Sequence, residues 1–235
     1  MNRKHSQQIS DVHARIEAAC RAADRAPGSV RLLAVSKTHP ADAVRRLRAL
    51  GQRAFGESYV EEALAKIDEL TDLDLEWHYI GPIQSNKTRA IATHFDWVQS
   101  VDRAKVVRRL EDQRPADRAP LNVLLQVNID AESQKAGCTH EQVNELADRV
   151  AECRNLTLRG LMAIPAPRTS FDEQKDVFDH LHALFRELSN RHPGVDTLSA
   201  GMSDDLEAAI AAGSTMVRVG TALFGARNNR EKVKR

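Results

Sequence analysis

Lys37 is the residue of this chain whose setting most suggests covalent chemistry. It follows the apolar run in "LLAVSKTHP", which is typical of a buried strand that ends just before the lysine. A lysine amine forms a Schiff base with a carbonyl compound only when it is neutral, and desolvation or nearby positive charge lowers its pKa from about 10.4. Because most lysines are solvated surface charges, the interpretation of Lys37 depends on the groups around it.

Two segments near the end of the chain have the features of a phosphate-binding site. In "SAGMSDDLEAAIAAG", Gly201 precedes a predicted helix with Ser203 as its N-cap, and the first-turn amides of a helix bind anions. In "RVGTALFGAR", Gly220 allows close backbone approach and Thr221 offers a hydroxyl group. Taken singly, Ser203 as a cap and Gly220 as a turn residue are also consistent with purely structural roles. Their joint placement after neighbouring strands favours phosphate binding.

Arg218 is the third member of this set. It alternates with Val217 and Val219 on a predicted strand, so its side chain lies on the opposite face from both. Its guanidinium is always charged and needs an acceptor, which is either an internal Asp or Glu or a ligand. A neutral lysine opposite a phosphate site, with an arginine between them, is the set of groups that would hold pyridoxal phosphate. The lysine would meet the aldehyde and the arginine the ring nitrogen.

The elements that position these residues are short β-rich runs alternating with helical stretches. The helical stretches have a period near 3.6, and no strand pair has the short link of a hairpin. This pattern predicts an α/β protein with a single (β/α)8 TIM barrel, and an open doubly wound sheet is the alternative. The carboxyl ends of barrel strands converge on one face, where a ligand site is expected. The predicted strands cover residues 30–36, 53–57, 75–81, 96–101, 122–128, 158–165, 196–201 and 216–220.

Length and pattern predict one cofactor-binding domain over residues 1–235. It would begin with an extra helix within residues 1–28 and end in a basic tail at 228–235. Within that tail, Lys232 and Lys234 are candidates for a transient second cofactor site.

The charge balance and the apolar pattern exclude several classes of protein. The chain has 34 basic and 33 acidic residues, a net charge of +1, so it lacks the positive field of a nucleic-acid binder. A polar N-terminus and the lack of a long apolar run indicate neither a signal peptide nor a membrane span, and we expect a cytoplasmic protein. His180 and His182 point in different directions on a predicted helix, so no metal site is expected there.

Several ordered motifs resemble one family over nearly the whole chain. They are "AVSKTHP", "FGESYVEEA", "HYIGPIQSNK", "VNIDAESQKAG", "GLMAI" and "LSAGMSDDLEAAIAAGSTMVRVGTALFGAR", and they are similar to the YggS/PROSC-type pyridoxal phosphate homeostasis proteins. The resemblance implies a barrel like the N-terminal domain of alanine racemase, with pyridoxal 5'-phosphate bound covalently as an aldimine on Lys37. It also implies that Arg218 faces the pyridine nitrogen and that the phosphate is faced by Ser203, Gly220 and Thr221.

The remaining candidate residues follow from strand ends and from the same resemblance. Ser58 stands where the family has an asparagine, so a hydroxyl replaces an amide and loses one of its two hydrogen-bonding functions. Lys135 matches a second family lysine near the pocket mouth, and a solvated loop charge is the alternative interpretation. Further candidates for cofactor contact are Gly201, Met202, Asn128 and Met162.

The leading functional hypothesis is a protein that carries or buffers pyridoxal phosphate, with a role in vitamin B6 and amino-acid homeostasis and without efficient catalysis. Its partners would include apo-forms of enzymes that use the cofactor, and we expect a monomer without a second domain. Only Tyr59 and Tyr79 are present, and neither suits the acid–base role that a racemase requires. A weak amino-acid racemase is the alternative, and a Schiff-base aldolase acting through Lys37 is a third hypothesis.

Overall fold

A computed structural model describes residues 2–132 and 134–225 of the protein. Eight parallel strands pair in chain order and close into a barrel. Because β1 pairs with both β2 and β8, the predicted (β/α)8 barrel is confirmed and the open sheet is wrong. The strands are β1 (Arg31–Val35), β2 (Ala54–Glu57), β3 (Glu76–Tyr79), β4 (Trp97–Val101), β5 (Leu121–Val127), β6 (Leu156–Ala163), β7 (Thr197–Ser199) and β8 (Met216–Val219).

Helices follow the strands and cover the outside of the barrel, and an extra helix precedes β1 as predicted. This first helix ends at Ala22, earlier than the predicted boundary at residue 28, because Asp24 takes a left-handed conformation with φ of 52°. In the described residues, no helix is both long and apolar enough to cross a bilayer. The predicted basic tail at 228–235, with Lys232 and Lys234, lies outside the described residues. The helices are α1 (Asn2–Ala22), α2 (Ala41–Ala49), α3 (Val60–Glu69), α4 (Thr88–His94), α5 (Ala104–Gln113), α6 (His140–Ala151), α7 (Phe171–Arg191), α8 (Leu206–Ala211) and α9 (Thr221–Phe224).

The strands separate a large apolar core from a more polar barrel interior. Val217 and Val219 belong to the core between sheet and helices, whereas Arg218, between them, hydrogen-bonds to groups of β6 and β7. The period-two prediction for Arg218 is therefore confirmed. The barrel interior contains small apolar clusters and a set of buried polar side chains that includes His78, Gln99, Ser199 and Arg218.

Candidate functional site

The backbone on both sides of Lys37 is held by side chains from α3. Lys37 is half-buried in the turn directly after β1. Before it, the carbonyl oxygen of Ser36 accepts a hydrogen bond from Lys66 Nζ at 2.8 Å. After it, the amide of Thr38 donates to Glu62 Oε1 at 2.6 Å, and Thr38 has a left-handed φ of 67°. These contacts give the Lys37 turn a defined backbone conformation in place of a loose loop.

A buried ion pair supports this turn. Lys66 is 5% exposed and lies 2.7 Å from Glu57 Oε1, which also accepts a hydrogen bond from the Ser36 hydroxyl at 2.6 Å. Burial raises the pKa of Glu57, and Lys66 opposes this rise. The second oxygen of Glu57, Oε2, has no hydrogen-bond partner among the described residues. Glu57 therefore depends on Lys66 for most of the stabilisation of its charge.

Lys66 was not a candidate residue in the sequence, although its position carries a signal. It follows Ala63 by three residues on the buried face of α3, where a lysine is unusual unless it is paired. Its Nζ has three hydrogen-bond partners, namely the Ser36 carbonyl oxygen, Glu57 Oε1 and Glu62 Oε1. Because an ammonium group has three donors, Lys66 is fully engaged in supporting the Lys37 turn.

Arg218 is buried at the carboxyl end of the barrel with donors to spare. Its Nη1 donates to the carbonyl oxygen and the hydroxyl of Ser199, and its Nη2 donates to the Ala163 carbonyl oxygen. Burial lowers the pKa of Arg218 to about 10, so the guanidinium is protonated at neutral pH. No Asp or Glu of the described residues forms a salt bridge with it, which excludes the ion-pair alternative within this part of the chain. Two of its five N–H donors remain for a ligand.

The two glycines at the ends of β7 and β8 each allow close packing. A Cβ atom at Gly220 would lie 3.3 Å from the carbonyl oxygen of Val35, so glycine keeps the end of β8 close to the end of β1. Gly201 has a φ of 93°, and a Cβ there would lie 2.6 Å from Ala209 Cβ. Its carbonyl oxygen accepts the amide hydrogen of Arg218 at 2.9 Å. Position 201 therefore requires glycine for packing, and glycine at position 220 allows the close approach of two strand ends.

The helix after β7 begins later than predicted, and the assignment of Ser203 as its N-cap is wrong. Residues 203–205 form a turn, and α8 begins at Leu206 with Asp205 in the N-cap position. The Asp205 carboxylate accepts the amide hydrogen of Met202 at 2.6 Å, which closes this turn. Ser203 is half-buried, and its carbonyl oxygen accepts a hydrogen bond from Arg15.

The structure places most of the predicted site residues at the carboxyl ends of three adjacent strands. β1 pairs with β8, and β8 pairs with β7. His39, just after the lysine turn, stacks on Phe224 of α9 with ring centroids 4.8 Å apart. Thr221 is exposed at the first position of α9. The residues on these three ends are Lys37, Gly201, Met202, Ser203, Arg218, Gly220 and Thr221.

Asn128 follows β5 and Met162 lies near the end of β6, and both have partners within the protein. The Asn128 side chain donates to the carbonyl oxygen of Glu132 at 2.7 Å and accepts the Glu132 amide hydrogen at 3.2 Å. Its amide group therefore holds its own loop. Met162 is fully buried in the barrel, where it packs with Trp97 and Leu124. A direct contact of either side chain with a cofactor remains a prediction.

Ser58 and Lys135 lie in the segments that follow β2 and β5. Ser58 is half-buried, and its carbonyl oxygen accepts a 3.4 Å hydrogen bond from the Tyr79 hydroxyl. Lys135 lies 2.6 Å from Glu132 Oε1 and 3.6 Å from Asp130 Oδ2. The loop-charge interpretation of Lys135 is therefore refined to that of an ion-paired lysine.

A buried histidine lies deeper in the barrel. His78 is wholly buried, with Nε2 2.7 Å from Glu76 Oε1 and Nδ1 2.9 Å from Gln99 Nε2. Burial lowers the pKa of His78, against the opposing effect of Glu76, while Arg31 adds to the lowering and Asp96 opposes it. For Glu76, burial alone would raise the pKa, but the hydrogen bond from His78 and the Arg31 guanidinium lower it to about 2. His78 is therefore neutral at physiological pH.

This neutral histidine predicts a pH dependence of stability. Because the pKa of His78 is lower in the native state than its ordinary value of about 6.5, the unfolded chain binds more protons at residue 78 as the pH falls through this range, so the free energy of unfolding should fall with it. We expect this loss of stability between pH 7 and pH 5, and urea denaturation measures it. His78→Gln should show a flatter dependence over this range, and His140→Gln, at an exposed position of α6, is the control. Equal slopes for wild type and His78→Gln would contradict this expectation.

Comparison with known families matches residues 11–228 to the alanine racemase N-terminal domain family. Among curated relatives, the pyridoxal phosphate homeostasis protein of Pseudomonas aeruginosa is 57% identical over 223 residues and covers 95% of this chain and 96% of its own. The protein of the same name from Escherichia coli K12 is 52% identical over 227 residues, and the match covers 95% of this chain and 97% of that protein.

Solved structures agree with this relationship. PipY of Synechococcus elongatus PCC7942, solved with PLP bound, superposes with a TM-score of 0.82 at 36% identity and covers 94% of this chain and 100% of its own. Alanine racemase of Corynebacterium glutamicum superposes with a TM-score of 0.65 at 15% identity, and the match covers 96% of this chain and 61% of that one. At this identity the likeness is one of fold alone. The chain belongs to the alanine racemase N-terminal domain family and, within it, to the YggS/PROSC-type pyridoxal phosphate homeostasis proteins.

Proposed function

We propose that this protein binds pyridoxal phosphate through Lys37 and Arg218 and buffers the cofactor for apo-forms of the enzymes that use it. The names of its relatives and the PLP-bound PipY structure support this proposal. Two neighbouring features carry the proposal. Arg218 is buried on β8 and has two N–H donors without a partner in the described part of the chain, and the Lys37 turn that follows the adjacent strand β1 is held by hydrogen bonds to side chains of α3.

The residues at this face fit the groups of the cofactor. Lys37 Nζ, when neutral, would form a C=N bond to the aldehyde carbon with release of water. Arg218 would donate an N–H to the ring nitrogen, and because it is protonated at neutral pH it would keep that nitrogen unprotonated. The phosphate would lie at Ser203, Gly220 and Thr221, where Gly220 allows β8 to end close to the end of β1. The bound cofactor supplies an electron sink for amino-acid chemistry, which an unprotonated ring nitrogen weakens.

The tyrosines support a binding role over efficient racemisation. Tyr79 donates to the Pro82 carbonyl oxygen at 3.1 Å, and burial raises its pKa to about 12. Its ring packs edge-on against Phe95 in the outer core, away from the barrel interior. Tyr59 is 55% exposed at the start of α3. The hydroxyl of Tyr79 is therefore engaged within the protein, which supports a binding role over the acid–base role that a racemase requires.

Borohydride reduction followed by peptide mass mapping tests the proposal. The purified full-length protein, incubated with pyridoxal phosphate and reduced, should carry one phosphopyridoxyl group on the peptide that contains Lys37. Labelling at Lys135 or Lys66 without labelling at Lys37 would refute the assignment. The same loaded protein should cause no measurable α-proton exchange in a panel of amino acids, and rapid exchange would favour the racemase alternative.

A further inference from the structure

Four buried polar side chains from different strands form a continuous hydrogen-bonded chain across the barrel interior. Arg218 Nη1 lies 2.8 Å from the Ser199 hydroxyl, which lies 2.7 Å from Gln99 Oε1. Gln99 Nε2 lies 2.9 Å from His78 Nδ1, and His78 Nε2 lies 2.7 Å from Glu76 Oε1. Residues 78, 99 and 199 are all 0% exposed, so no bulk solvent competes for these bonds.

All the hydrogen bonds in this network are donated in the same direction, from Arg218 toward Glu76. An arginine only donates, so the Ser199 hydroxyl oxygen accepts from Arg218 and directs its own hydrogen to Gln99 Oε1. The Gln99 amide then donates from Nε2 to His78 Nδ1, which leaves the His78 proton on Nε2 for the Glu76 carboxylate. The amide orientation of Gln99 is therefore determined from both ends. Chains of this kind strengthen each bond and resist rearrangement.

We propose that Gln99 is a positioning residue that orients the Arg218 guanidinium toward the ring nitrogen of the cofactor, acting through the Ser199 hydroxyl. The inference rests on the proposed function and adds a residue to its binding site. Gln99 forms no hydrogen bond with Arg218 among the described residues, but it accepts the hydroxyl hydrogen of Ser199 and so determines where that hydrogen points. That in turn determines which lone pair of the hydroxyl oxygen faces Nη1. With Nη1 held by Ser199 and Nη2 by Ala163, the plane of the guanidinium is set, and with it the direction of the two remaining donors.

The test compares two ligands that differ only at the ring nitrogen, pyridoxal phosphate and its 1-deaza analogue, in which a C–H replaces that nitrogen. Affinities are measured by absorbance and fluorescence titration of the full-length protein. A hydrogen bond from a charged donor predicts that the wild type prefers pyridoxal phosphate by about tenfold. Gln99→Met should reduce this preference to about threefold or less. The control variant Leu124→Met, which changes an apolar side chain of the barrel interior, should keep the preference of the wild type for pyridoxal phosphate.

The ratio of the two affinities separates positioning from a purely structural role, because a general loss of stability weakens both ligands alike. Ser199→Ala removes the hydroxyl and keeps the carbonyl oxygen that also binds Arg218, so it should reduce the preference as Gln99→Met does. If Gln99→Met does not fold, the ratio of the two affinities in Ser199→Ala tests the inference instead. A tenfold preference retained in a folded variant of either kind overturns the inference, as does a wild type that binds both ligands equally well. Failure of the wild type to bind pyridoxal phosphate at all would instead refute the proposed function.

Discussion

Replacing Lys37 by alanine should abolish covalent labelling by pyridoxal phosphate and weaken binding of the cofactor by at least about tenfold. The alanine variant lacks the amine that forms the C=N bond, while Arg218 and the glycine-containing ends of β7 and β8 remain. Reduced protein should show no phosphopyridoxyl mass, and the absorbance of the bound cofactor should be that of the free aldehyde. Side chains of α3 hold the backbone of this turn through the Thr38 amide and the Ser36 carbonyl oxygen, and neither of these two contacts uses the Lys37 side chain.

The matched control is Lys175→Ala, which removes a partly exposed lysine from an ion pair with Asp179 on α7. This variant should be labelled at Lys37 and should bind pyridoxal phosphate as the wild type does. Lys135→Ala tests the second lysine at the barrel mouth, and we expect labelling at Lys37 to be unchanged in it. Full labelling of Lys37→Ala at a different lysine would show that the proposed tether is not specific.

Lys66→Met should destabilise the protein by about 3–5 kcal/mol, because it leaves the carboxylate of Glu57 buried without its partner. Glu57 is 0% exposed, and its second oxygen is already without a hydrogen bond among the described residues. Urea denaturation at pH 7 measures the loss. Lys175→Met, which breaks an exposed pair of the same kind, should lower the free energy of unfolding by less than about 1 kcal/mol. A loss below 1 kcal/mol for Lys66→Met would show that the buried pair is not stabilising.

The destabilisation caused by Lys66→Met should also depend on pH in a defined direction. Removing Lys66 raises the native-state pKa of Glu57 further above its ordinary value of 4.5. At pH values between the ordinary pKa of Glu57 and its raised pKa in the native variant, the native state binds a proton that the unfolded chain does not. The free energy of unfolding therefore falls as the pH rises through this range. The variant should therefore be least destabilised near pH 5 and most destabilised at neutral pH or above. The double variant Glu57→Gln/Lys66→Met should recover much of the loss, since it removes the buried charge.

The architecture followed from local patterns. Strand alternation and helical periodicity predicted all eight strands within a few residues, including the short runs at 53–57 and 96–101. The inward direction of Arg218 followed from its two valine neighbours. These features depend on residues close in sequence, so they could be predicted without knowledge of the tertiary structure.

Features that depend on distant partners were predicted less well. The prediction that Ser203 caps a helix failed because Asp205 takes that position and binds the Met202 amide. Asn128 has the polar character of a ligand contact, but its amide is used by the loop that follows. Lys66 and Gln99 gave little signal, although a lysine on the buried face of α3 and a glutamine in a wholly buried strand are both unusual.

The sequence by itself determined the barrel, the position of Lys37 at a strand end and the inward direction of Arg218, because backbone periodicity and strand order are local properties of the chain. Only the tertiary structure decided what holds these two residues in place. Ser199 and Gln99 are 100 residues apart, and Lys66 reaches the Ser36 carbonyl oxygen across 30 residues. Such partners meet only after the barrel has closed, and hydrogen-bond geometry between them has no counterpart in residue spacing.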